Sequence, residues 1–414
     1  MDIAVIGAGA AGLATARELI RAGHRPTIYE QSTQVGGVWV YEDSKNVDPL
    51  GVNTFSSLYD SLRTNLPRDL MAFHDYTFDS AGGGNDGWPR YPHHTRVLEY
   101  LQNFAKDSSL LTHIQFDSRV SQISPAANNT WTVSTDTEQR DFGAVAICNG
   151  HYTKPKIPGL EGIEHFGGIR YHAHNYRNPQ AFKGKNVLLW GTAASGVDLC
   201  REIASVANTV YWCGSTFSLP ATKKGNTYLY PSPTGINASG HVLFEDGSEV
   251  KNVDVFMYCT GYEYHFPFLA EGVVSVEDNK VSPLYQELLP PERPTLAFIG
   301  IPYMIIPFPL FMMQARWFAR MLANQFQLPS VSEMYQQIRD KEQRLLGQEA
   351  RHFHQLGDLQ FEYINNLAQQ CAAAPLPAWY QALAAEAQAA KRTDPDGYRD
   401  KFLKQHGPSA VAAE

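Results

Sequence analysis

The chain has 414 residues, of which 43% are hydrophobic and 18% are charged, and its formal net charge is −8. A chain of this length can bury two separate cores, so the composition indicates a globular protein of two domains. The negative charge and the lack of a long Lys/Arg run argue against nucleic acid as the main partner, which favours a concentrated basic face.

The first residues predict a strand, a glycine-rich turn, a helix and a second strand. Ile3–Ile6 is a buried apolar run, 10–22 has helical spacing, and 26–29 is a second strand that ends at Glu30. In the turn Gly7-Ala-Gly-Ala-Ala-Gly12, the three glycines allow a tight turn, close approach to a pyrophosphate, and close packing of helix on strand.

The residues of this turn form the first candidate cofactor site. The N-terminus of the helix carries roughly half a positive charge and would face the phosphates. Glu30 follows the last glycine at about the spacing of 20 residues expected for the acid that binds a ribose hydroxyl. The candidate residues are Gly7, Gly9, Ala10, Ala11, Gly12 and Glu30.

Two polar or glycine-rich segments follow. Gln34 and the run Gly36-Gly37-Val38-Trp39 predict a second close approach of the backbone to the bound cofactor; a plain turn with a core tryptophan is the alternative. The run Arg63-Thr64-Asn65 sets polar side chains in an apolar neighbourhood. The neutral amide of Asn65 can hydrogen-bond a reactive cofactor without supplying a proton; the alternative is that Asn65 is a turn residue.

The composition of 81–87 predicts a flexible surface loop.

A second strand, turn, helix and strand repeat this order. The strands are 187–190 and 209–212 and the helix is 194–204, after an extended linker at 152–159. The turn between them reads Gly191-Thr-Ala-Ala-Ser-Gly196, with alanine at the middle glycine position. Two dinucleotide sites in one chain point to flavin plus nicotinamide chemistry. The candidate residues of this turn are Gly191, Ala193, Ser195 and Gly196.

The sequence does not identify the side chain that would bind the 2′-phosphate of the coenzyme. The position in register with Glu30 is Gly214, where no carboxylate repels a 2′-phosphate and no arginine binds one. NADPH is therefore permitted, and NADH stays an alternative. The candidate phosphate partners are Ser215, Thr216, Lys223 and Lys224; the alternative is that the lysines are solvated surface charges.

The remaining segments complete an α/β fold. The strand pattern at 254–261 closes the second unit, 295–300 returns the chain to the first, and residues from 331 onward predict a helical tail. We expect two Rossmann-like dinucleotide-binding domains, with the NADPH domain inserted into the FAD domain. The expected bounds are 1–165 and 286–414 for FAD, including the tail, and 166–285 for NADPH.

Location and partners are also indicated. The five cysteines are odd in number and form no Cys-x-x-Cys pair, so we expect a reducing, cytoplasmic environment and no metal site. No secretory or transit leader precedes Asp2. Leu296–Met313 is uncharged over roughly the length of a bilayer, but its prolines obstruct a helix. The segment therefore predicts buried core or the wall of an apolar pocket; a transmembrane helix and a membrane-touching loop are the minor alternatives.

The segment Phe166–Tyr176 carries a family resemblance. Phe166, Gly168, His172 and Tyr176 fill every slot of the pattern Phe-x-Gly-x-x-x-His-x-x-x-Phe/Tyr, and the chain thereby resembles the class B flavin-containing monooxygenases. Baeyer–Villiger monooxygenases are similar but generally end the motif with Trp-Pro. Here Tyr176 is followed by Arg177, which favours the branch that oxygenates heteroatoms. Without the resemblance, His172 is equally a structural histidine. We call Phe166–Tyr176 the fingerprint segment.

The resemblance runs almost end to end. The segments 56–67, 91–92, 259–262 and 307–309 are most similar to soluble plant-type members that S-oxygenate thioethers. It implies FAD, NADPH and O2, with oxygen passing from a flavin C4a-hydroperoxide to the sulfur or nitrogen of a small sulfide or amine. Asn65 would stabilise that peroxide. A departure is Gly214, where many members have an arginine.

Other roles also follow from the resemblance alone. Thr260 and Gly261 would belong to the linker strand between the nucleotide domains, and His172 and Tyr176 would keep the domains and a retained nicotinamide in register. Arg63 and Thr64 would line the flavin beside the catalytic Asn65. Apart from the resemblance, the oligomeric state stays open, with a homodimer as one expected assembly. The competing readings are a Baeyer–Villiger ketone oxygenase and a non-catalytic flavin-binding redox sensor.

Overall fold

The computed structural model describes residues 1–43, 56–83, 87–217 and 223–401. In those ranges the helices are α1 (Ala10–Arg21), α2 (Arg68–Met71), α3 (His94–Asp107), α4 (Ala194–Ala204), α5 (Pro307–Leu322), α6 (Val331–Arg344), α7 (Gln360–Gln370) and α8 (Trp379–Thr393). The strands are β1 (Asp2–Ile6), β2 (Arg25–Tyr29), β3 (Ile114–Gln115), β4 (Val120–Pro125), β5 (Trp131–Thr135), β6 (Gln139–Phe142), β7 (Ala144–Ile147), β8 (Lys154–Pro155), β9 (Ile169–His172), β10 (Asn186–Trp190), β11 (Thr209–Cys213), β12 (Lys223–Lys224), β13 (Thr227–Tyr230), β14 (Pro233–Ile236), β15 (Val242–Phe244), β16 (Glu249–Val250), β17 (Val255–Tyr258), β18 (Tyr262–Glu263), β19 (Ser275–Glu277), β20 (Lys280–Ser282) and β21 (Leu296–Phe298).

The chain divides into two compact units. The first unit contains Met1–Val40, Arg63–Gly150 and Tyr264–Glu414, and the second unit contains Tyr41–Leu62 and His151–Glu263. The second unit is thus inserted into the first, as the sequence predicted.

The bounds differ from those that the sequence suggested. The second unit starts before 166 because β8 pairs with β18 in a two-stranded antiparallel sheet. It ends before 285 because Tyr264 and Val281 are buried in a core of the first unit with Phe298. It also includes Tyr59, which packs into the core around Tyr176.

The first unit is built on a parallel sheet of strand order β21-β7-β1-β2-β3. Successive side chains of a strand point to opposite faces, so β1 serves two cores. Ile3 and Val5 pack with helical residues such as Leu13, whereas Ala4 packs with the β4–β5–β6 meander at Trp131. The C-terminal helices join the same layer as α1, which confirms a helical tail on this unit.

The second unit repeats the plan with strand order β12-β13-β11-β10-β17-β9. Its strands are parallel except for β12, which runs antiparallel to β13. Val187 and Leu189 of β10 pack on the α4 side with Leu199, whereas Leu188 packs with Phe244 of the small β14–β15–β16 sheet. The duplicated strand, turn, helix and strand are confirmed.

The uncharged segment 296–313 is divided between a strand and a helix. β21 is fully buried in the parallel sheet, and Pro307 begins α5, whose Leu310 is also fully buried. Within the described residues, no helix combines the length and the apolar character that a membrane crossing requires. The predicted loop at 81–87 falls partly outside the described residues, at 84–86.

A buried charge network fastens the return segment to the C-terminal helices. Glu287 accepts hydrogen bonds from the Lys341 ammonium of α6 and from Nδ1 of His354. The other ring nitrogen of His354 accepts from Val281 N at 2.9 Å, which assigns the proton to Nδ1. Burial alone would raise the pKa of Glu287, but His354 and Lys341 outweigh burial and lower that pKa to about 2.

This network predicts a defined acid sensitivity. The pKa of Glu287 is lower in the folded chain than in the unfolded chain, so its ionisation stabilises the fold above about pH 4.5, and this contribution is lost as the pH falls towards 2. We expect Glu287→Gln to lower the unfolding free energy at neutral pH by about 3–5 kcal/mol, because a buried pair is broken. Urea unfolding at a series of pH values measures this difference.

The difference between Glu287→Gln and the unmodified chain should shrink as the pH approaches 3, about midway through the titration. Glu271→Gln is the matched control, since Glu271 is exposed and makes no hydrogen bond or ion pair within the described residues. A constant difference from neutral to acid pH would contradict the assigned pKa.

Candidate functional site

The first glycine turn is shaped by two positions at which no side chain fits. Gly7 has a φ of 106°, and a Cβ there would lie 2.7 Å from the carbonyl oxygen of Cys148 at the end of β7. A Cβ at Gly12 would lie 1.8 Å from the carbonyl oxygen of Gly7. Helix α1 therefore starts directly against the turn, as the sequence pattern requires.

The start of α1 is suited to a phosphate group. Gly9 occupies the N-cap, no side chain caps the helix, and no acidic residue lies in its first turn. The N–H groups of the first helical turn have no partner within a helix, so those of Ala10, Ala11 and Gly12 are available to an anion. The residues that are present fit a dinucleotide pyrophosphate.

Glu30 lies at the end of β2 and is tied to the turn. Its buried carboxylate accepts from Ala8 N at 2.7 Å, and its other oxygen accepts from the N–H of Ser32 at 2.9 Å and from its hydroxyl at 2.8 Å. An ionised carboxylate has about four acceptor positions, so these three bonds leave capacity for a ribose hydroxyl.

The Gly36–Gly37 run packs on the turn itself. A Cβ at Gly37 would lie 2.9 Å from the Cα of Gly9, and Gly36 N donates to Ala8 O at 3.1 Å. In the structure, the close backbone approach of this run is to another segment of the protein, the first glycine turn. Val38 and Trp39 continue as a partly buried 3-10 turn, and the exposed Gln34 accepts from the Gln102 amide at 3.4 Å.

The second glycine turn has the same construction. Gly191 has a φ of 130°, and a Cβ there would lie 2.2 Å from the carbonyl oxygen of Cys259. A Cβ at Gly196 would lie 2.0 Å from Gly191 O. Ala193 is the N-cap of α4, which has neither a side-chain cap nor an acid in its first turn, and Ser195 is exposed there. The alanine that weakened the motif in the sequence does not disturb the turn.

Directly after the end of β11 lies Gly214, the residue in register with Glu30. Gly214 is buried, and a Cβ there would lie 2.8 Å from Cγ2 of Thr192. A larger residue at 214 therefore requires Thr192 to move, a constraint that the sequence did not reveal. Ser215 and Thr216 are exposed beside it. The side chains of Lys223 and Lys224 lie outside the described residues.

The fingerprint segment is built into the second unit at each of its slots. The ring of Phe166 packs edge-on against Phe256, with 5.8 Å between centroids. A Cβ at Gly168 would lie 2.5 Å from the carbonyl oxygen of Asp254. The hydroxyl of Tyr176 donates to Glu202 of α4 at 2.7 Å. These contacts attach the segment to β17 and to α4.

His172 holds the turn that follows β17. It pairs with Tyr258 in the parallel register of β9 and β17. Its Nδ1 accepts from His174 N at 3.0 Å, so the proton lies on Nε2, which donates to Gly261 O at 3.1 Å. Burial lowers the pKa of His172 to about 4, and the neighbouring His174 adds to this effect. The imidazole is therefore neutral near pH 7.

The segment after β17 is fixed from two sides. Gly261 has a φ of 80°, and its carbonyl oxygen also accepts from Lys156 N at 2.9 Å. The hydroxyl of Thr260 donates to Lys156 O. Both residues therefore lie in a junction of the linker, the fingerprint segment and β17 within the second unit.

Asn65 lies on a loop of the first unit whose backbone is well bonded. Arg63 forms an antiparallel bridge with His93, and Thr64 N donates to Pro92 O at 2.9 Å. The Thr64 hydroxyl donates to Leu66 O at 2.8 Å. The side chain of Asn65 is exposed and forms no hydrogen bond among the described residues. Its amide is available to a ligand.

Comparisons with known proteins agree along nearly the whole chain. The model of the family "Flavin-binding monooxygenase-like" matches residues 1–219 and 229–380. The chain is 40% identical over 428 aligned residues to flavin-containing monooxygenase FMO GS-OX-like 4 of Arabidopsis thaliana, covering 98% of this chain and 94% of the relative.

Solved structures give the same result. S-allyl-L-cysteine S-oxygenase from Allium sativum superposes with a TM-score of 0.91 at 37% identity, covering 97% of this chain and 95% of that protein. A cyclohexanone monooxygenase superposes with a TM-score of 0.62 at 14% identity, covering 98% of this chain and 99% of that one, a likeness of fold alone.

The geometry of His172 predicts that its removal destabilises the fold and leaves the pH dependence of turnover unchanged. We expect His172→Ala to lower the unfolding free energy by about 1–3 kcal/mol, because the His174 amide loses a buried acceptor. The pH dependence of NADPH oxidation between about pH 6 and 8 should keep its shape, since the imidazole is already neutral there.

Thermal unfolding and initial rates across pH measure the two effects. His165→Ala is the control, because His165 is a half-exposed histidine of the same unit. A midpoint of the rate profile that moves in His172→Ala and not in His165→Ala would show that His172 exchanges protons during turnover.

Proposed function

Because the chain belongs to the flavin-binding monooxygenase-like family, we propose that it oxygenates the sulfur of a small thioether. As a member of this family it is an oxidoreductase that uses FAD, NADPH and O2. The observation that carries the proposal is the 37% identity and TM-score of 0.91 with an S-oxygenase over 97% of the chain.

The proposed reaction is balanced by one coenzyme molecule. NADPH gives a hydride and the solvent gives a proton, which together supply the two electrons and two protons that convert one oxygen atom of O2 to water. The other oxygen atom forms an S=O bond to the thioether. The products are a sulfoxide, NADP⁺ and water, and bound FAD supplies the oxygen-activating chemistry.

The cofactor positions form part of the proposal. The first turn would hold the FAD pyrophosphate on the N–H groups of Ala10, Ala11 and Gly12, with Glu30 on the ribose. The second turn would hold NADPH in the same way, with Ser215 near its phosphate. The uncapped helices and the absence of acids in their first turns support both assignments.

Asn65 is the proposed catalytic side chain. It would donate a hydrogen bond to the oxygen that is bound at the flavin, and such a bond to a charged or polar acceptor contributes about 1.5–3 kcal/mol. The bonded backbone on both sides of Asn65 supports this role, because a preorganised donor loses no energy to reorientation during reaction.

Arg177 supports heteroatom oxygenation over Baeyer–Villiger chemistry. Its guanidinium donates to four backbone carbonyls of the second unit, those of Glu42, Ser56, His174 and Tyr176, at 2.6–3.0 Å. A Trp-Pro ending would remove all of these donors, so the local packing here differs from the Baeyer–Villiger pattern.

Amines are the second candidate substrates, since nitrogen is also a soft nucleophile. A cytoplasmic location and a homodimer stay predictions of the sequence.

The oxygenation itself predicts an isotopic result. With NADPH, a small alkyl thioether and ¹⁸O2, we expect a sulfoxide that contains one ¹⁸O atom, measured by mass spectrometry. NADPH consumed and sulfoxide formed should be close to equimolar. A trialkylamine and a cyclic ketone tested in parallel distinguish the alternatives.

Hydrogen peroxide without sulfoxide or N-oxide, for every substrate of the panel, would overturn the proposed function. If the ketone is the one substrate of the panel that is oxygenated, and it gives an ester, the Baeyer–Villiger alternative would be favoured. Flavin reduction without oxygenated product would favour the redox sensor.

The two glycine turns predict a pair of contrasting variants. Gly12→Ala places a Cβ on Gly7 O, so we expect its affinity for FAD to fall by about a hundredfold or more and the purified protein to lose its yellow colour. Gly196→Ala has the same clash in the second unit, so it should keep FAD and lose reduction by NADPH, while dithionite still reduces its flavin.

Flavin absorbance per protein and anaerobic reduction rates measure the pair. Gly159→Ala is the control, because a Cβ there meets nothing within 4 Å. Loss of FAD from Gly196→Ala together with its retention by Gly12→Ala would reverse the assignment of the two turns.

A further inference from the structure

The loop that carries Asn65 is held by residues more than three hundred positions later in the chain. We name residues 63–66 the Asn65 loop and residues 398–400 the C-terminal turn, which follows α8. Both belong to the first unit. The contacts between them involve neither the fingerprint segment nor the glycine turns, and no sequence motif predicts them.

Two arginines cross between these segments in a reciprocal pair. Nη2 of Arg63 donates to the carbonyl oxygen of Arg399 at 3.0 Å, and Nε of Arg399 donates to the carbonyl oxygen of Thr64 at 3.0 Å. Each side chain thus binds the backbone of the opposite segment. A charged donor makes these bonds stronger than those between neutral groups.

Further contacts of Arg63 add to this pair. Its Nη1 lies 2.6 Å from the carboxylate of Asp400, and its Nε donates to Tyr91 O at 3.1 Å. Because the Asp400 side chain is 73% exposed, the ion pair contributes little alone. The bonds to backbone carbonyls carry most of the interaction.

The C-terminal turn has a firm anchor of its own. The ring of Tyr398 is buried and packs edge-on against the fully buried Tyr91, with 5.3 Å between centroids. Ala387 of α8 completes this small core. The guanidinium of Arg399 lies over the Tyr398 ring, 5.0 Å from its centroid. Arg399 therefore reaches Thr64 from a fixed base.

The result is a loop that is fixed on both sides of an unbonded amide. Thr64 is held at its N–H by Pro92 O and at its carbonyl by Arg399, and that carbonyl belongs to the peptide bond that leads into Asn65. The orientation of this peptide sets where the Asn65 side chain starts. The hydrogen bond from Arg399 therefore restrains the peptide group directly before Asn65.

We propose that Arg399 is a positioning residue for Asn65, so that the C-terminal turn controls how fully NADPH consumption is coupled to oxygen transfer. This inference rests on the role of Asn65 in the proposed function. Arg399 touches neither substrate nor cofactor in this role. It acts only by keeping the Thr64–Asn65 peptide in one orientation.

The central variant is Arg399→Ala, which removes the bond to Thr64 O and leaves the backbone acceptor for Arg63. We expect the fraction of consumed NADPH that appears as hydrogen peroxide to rise about threefold to tenfold, the effect of one such hydrogen bond. FAD content and the anaerobic rate of reduction by NADPH should not change. Arg399→Lys keeps a donor and should restore most of the coupling.

A second measurement does not depend on activity. Hydrogen–deuterium exchange of the holoenzyme should be faster in the peptide that spans 63–66 in Arg399→Ala, with unchanged exchange in β1 and β10. Arg392→Ala is the matched control for both measurements, because Arg392 lies on α8 and its guanidinium donates to Gln388 of the same helix.

A double-mutant cycle tests whether Arg399 acts through Asn65. Asn65→Ala alone should raise the peroxide fraction, and Asn65→Ala/Arg399→Ala should raise it no further. Additive effects, or coupling and exchange that stay unchanged in Arg399→Ala, would refute the positioning role and leave the proposed function intact. If Asn65→Ala leaves coupling unchanged, the catalytic role of Asn65 fails and the positioning role fails with it.

Discussion

The contact between the last glycine of each turn and the carbonyl of its first glycine is the constraint on which both units depend. A side chain at Gly12 or Gly196 would lie within about 2 Å of that oxygen, so only glycine lets the helix begin where it does. The position of the helix in turn determines where its unpaired N–H groups are found. Neither helix has a side-chain cap or an acid in its first turn, so these N–H groups are suited to a phosphate. One steric requirement, met twice, thus sets where both helices begin.

The fingerprint segment is linked to the second of these turns through β17. The carbonyl of Cys259, directly after β17, is the atom that leaves no room for a side chain at Gly191, and His172 binds Gly261 two residues further on. The histidine therefore fixes the backbone against which the nucleotide turn packs. Phe166 and Gly168 fix the opposite end of the same strand through Phe256 and Asp254. The pattern of the fingerprint is explained by packing on β17 and, at Tyr176, by the hydrogen bond to Glu202 of α4, without any proton transfer by its histidine.

Periodicity and turn chemistry predicted the elements that local sequence determines. The strands at 3–6 and 187–190 and the helices that follow them lie where the apolar spacing placed them, because each is specified by adjacent residues. Features that depend on distant residues were beyond such reasoning. Tyr59 joins the core of the second unit, Thr192 lies against Gly214, and Arg399 binds the loop of Asn65. In each case the two contacting residues are separated along the sequence, and only the packed chain brings them together.

The polar groups of the site are engaged mostly with backbone, and this fits a protein whose cofactor carries the difficult chemistry. Glu30 binds two backbone N–H groups, Arg177 binds carbonyl oxygens, and His172 is neutral because burial lowers its pKa. Burial also raises the pKa of Tyr176, whose hydroxyl keeps its proton for Glu202. Neither the imidazole of His172 nor the hydroxyl of Tyr176 exchanges a proton near pH 7 in this arrangement, so their contribution is rigidity. Rigid surroundings matter most for a side chain that must meet a reactive oxygen in one orientation, which is the role proposed for Asn65, and its bonded flanks and unbonded amide fit that proposal.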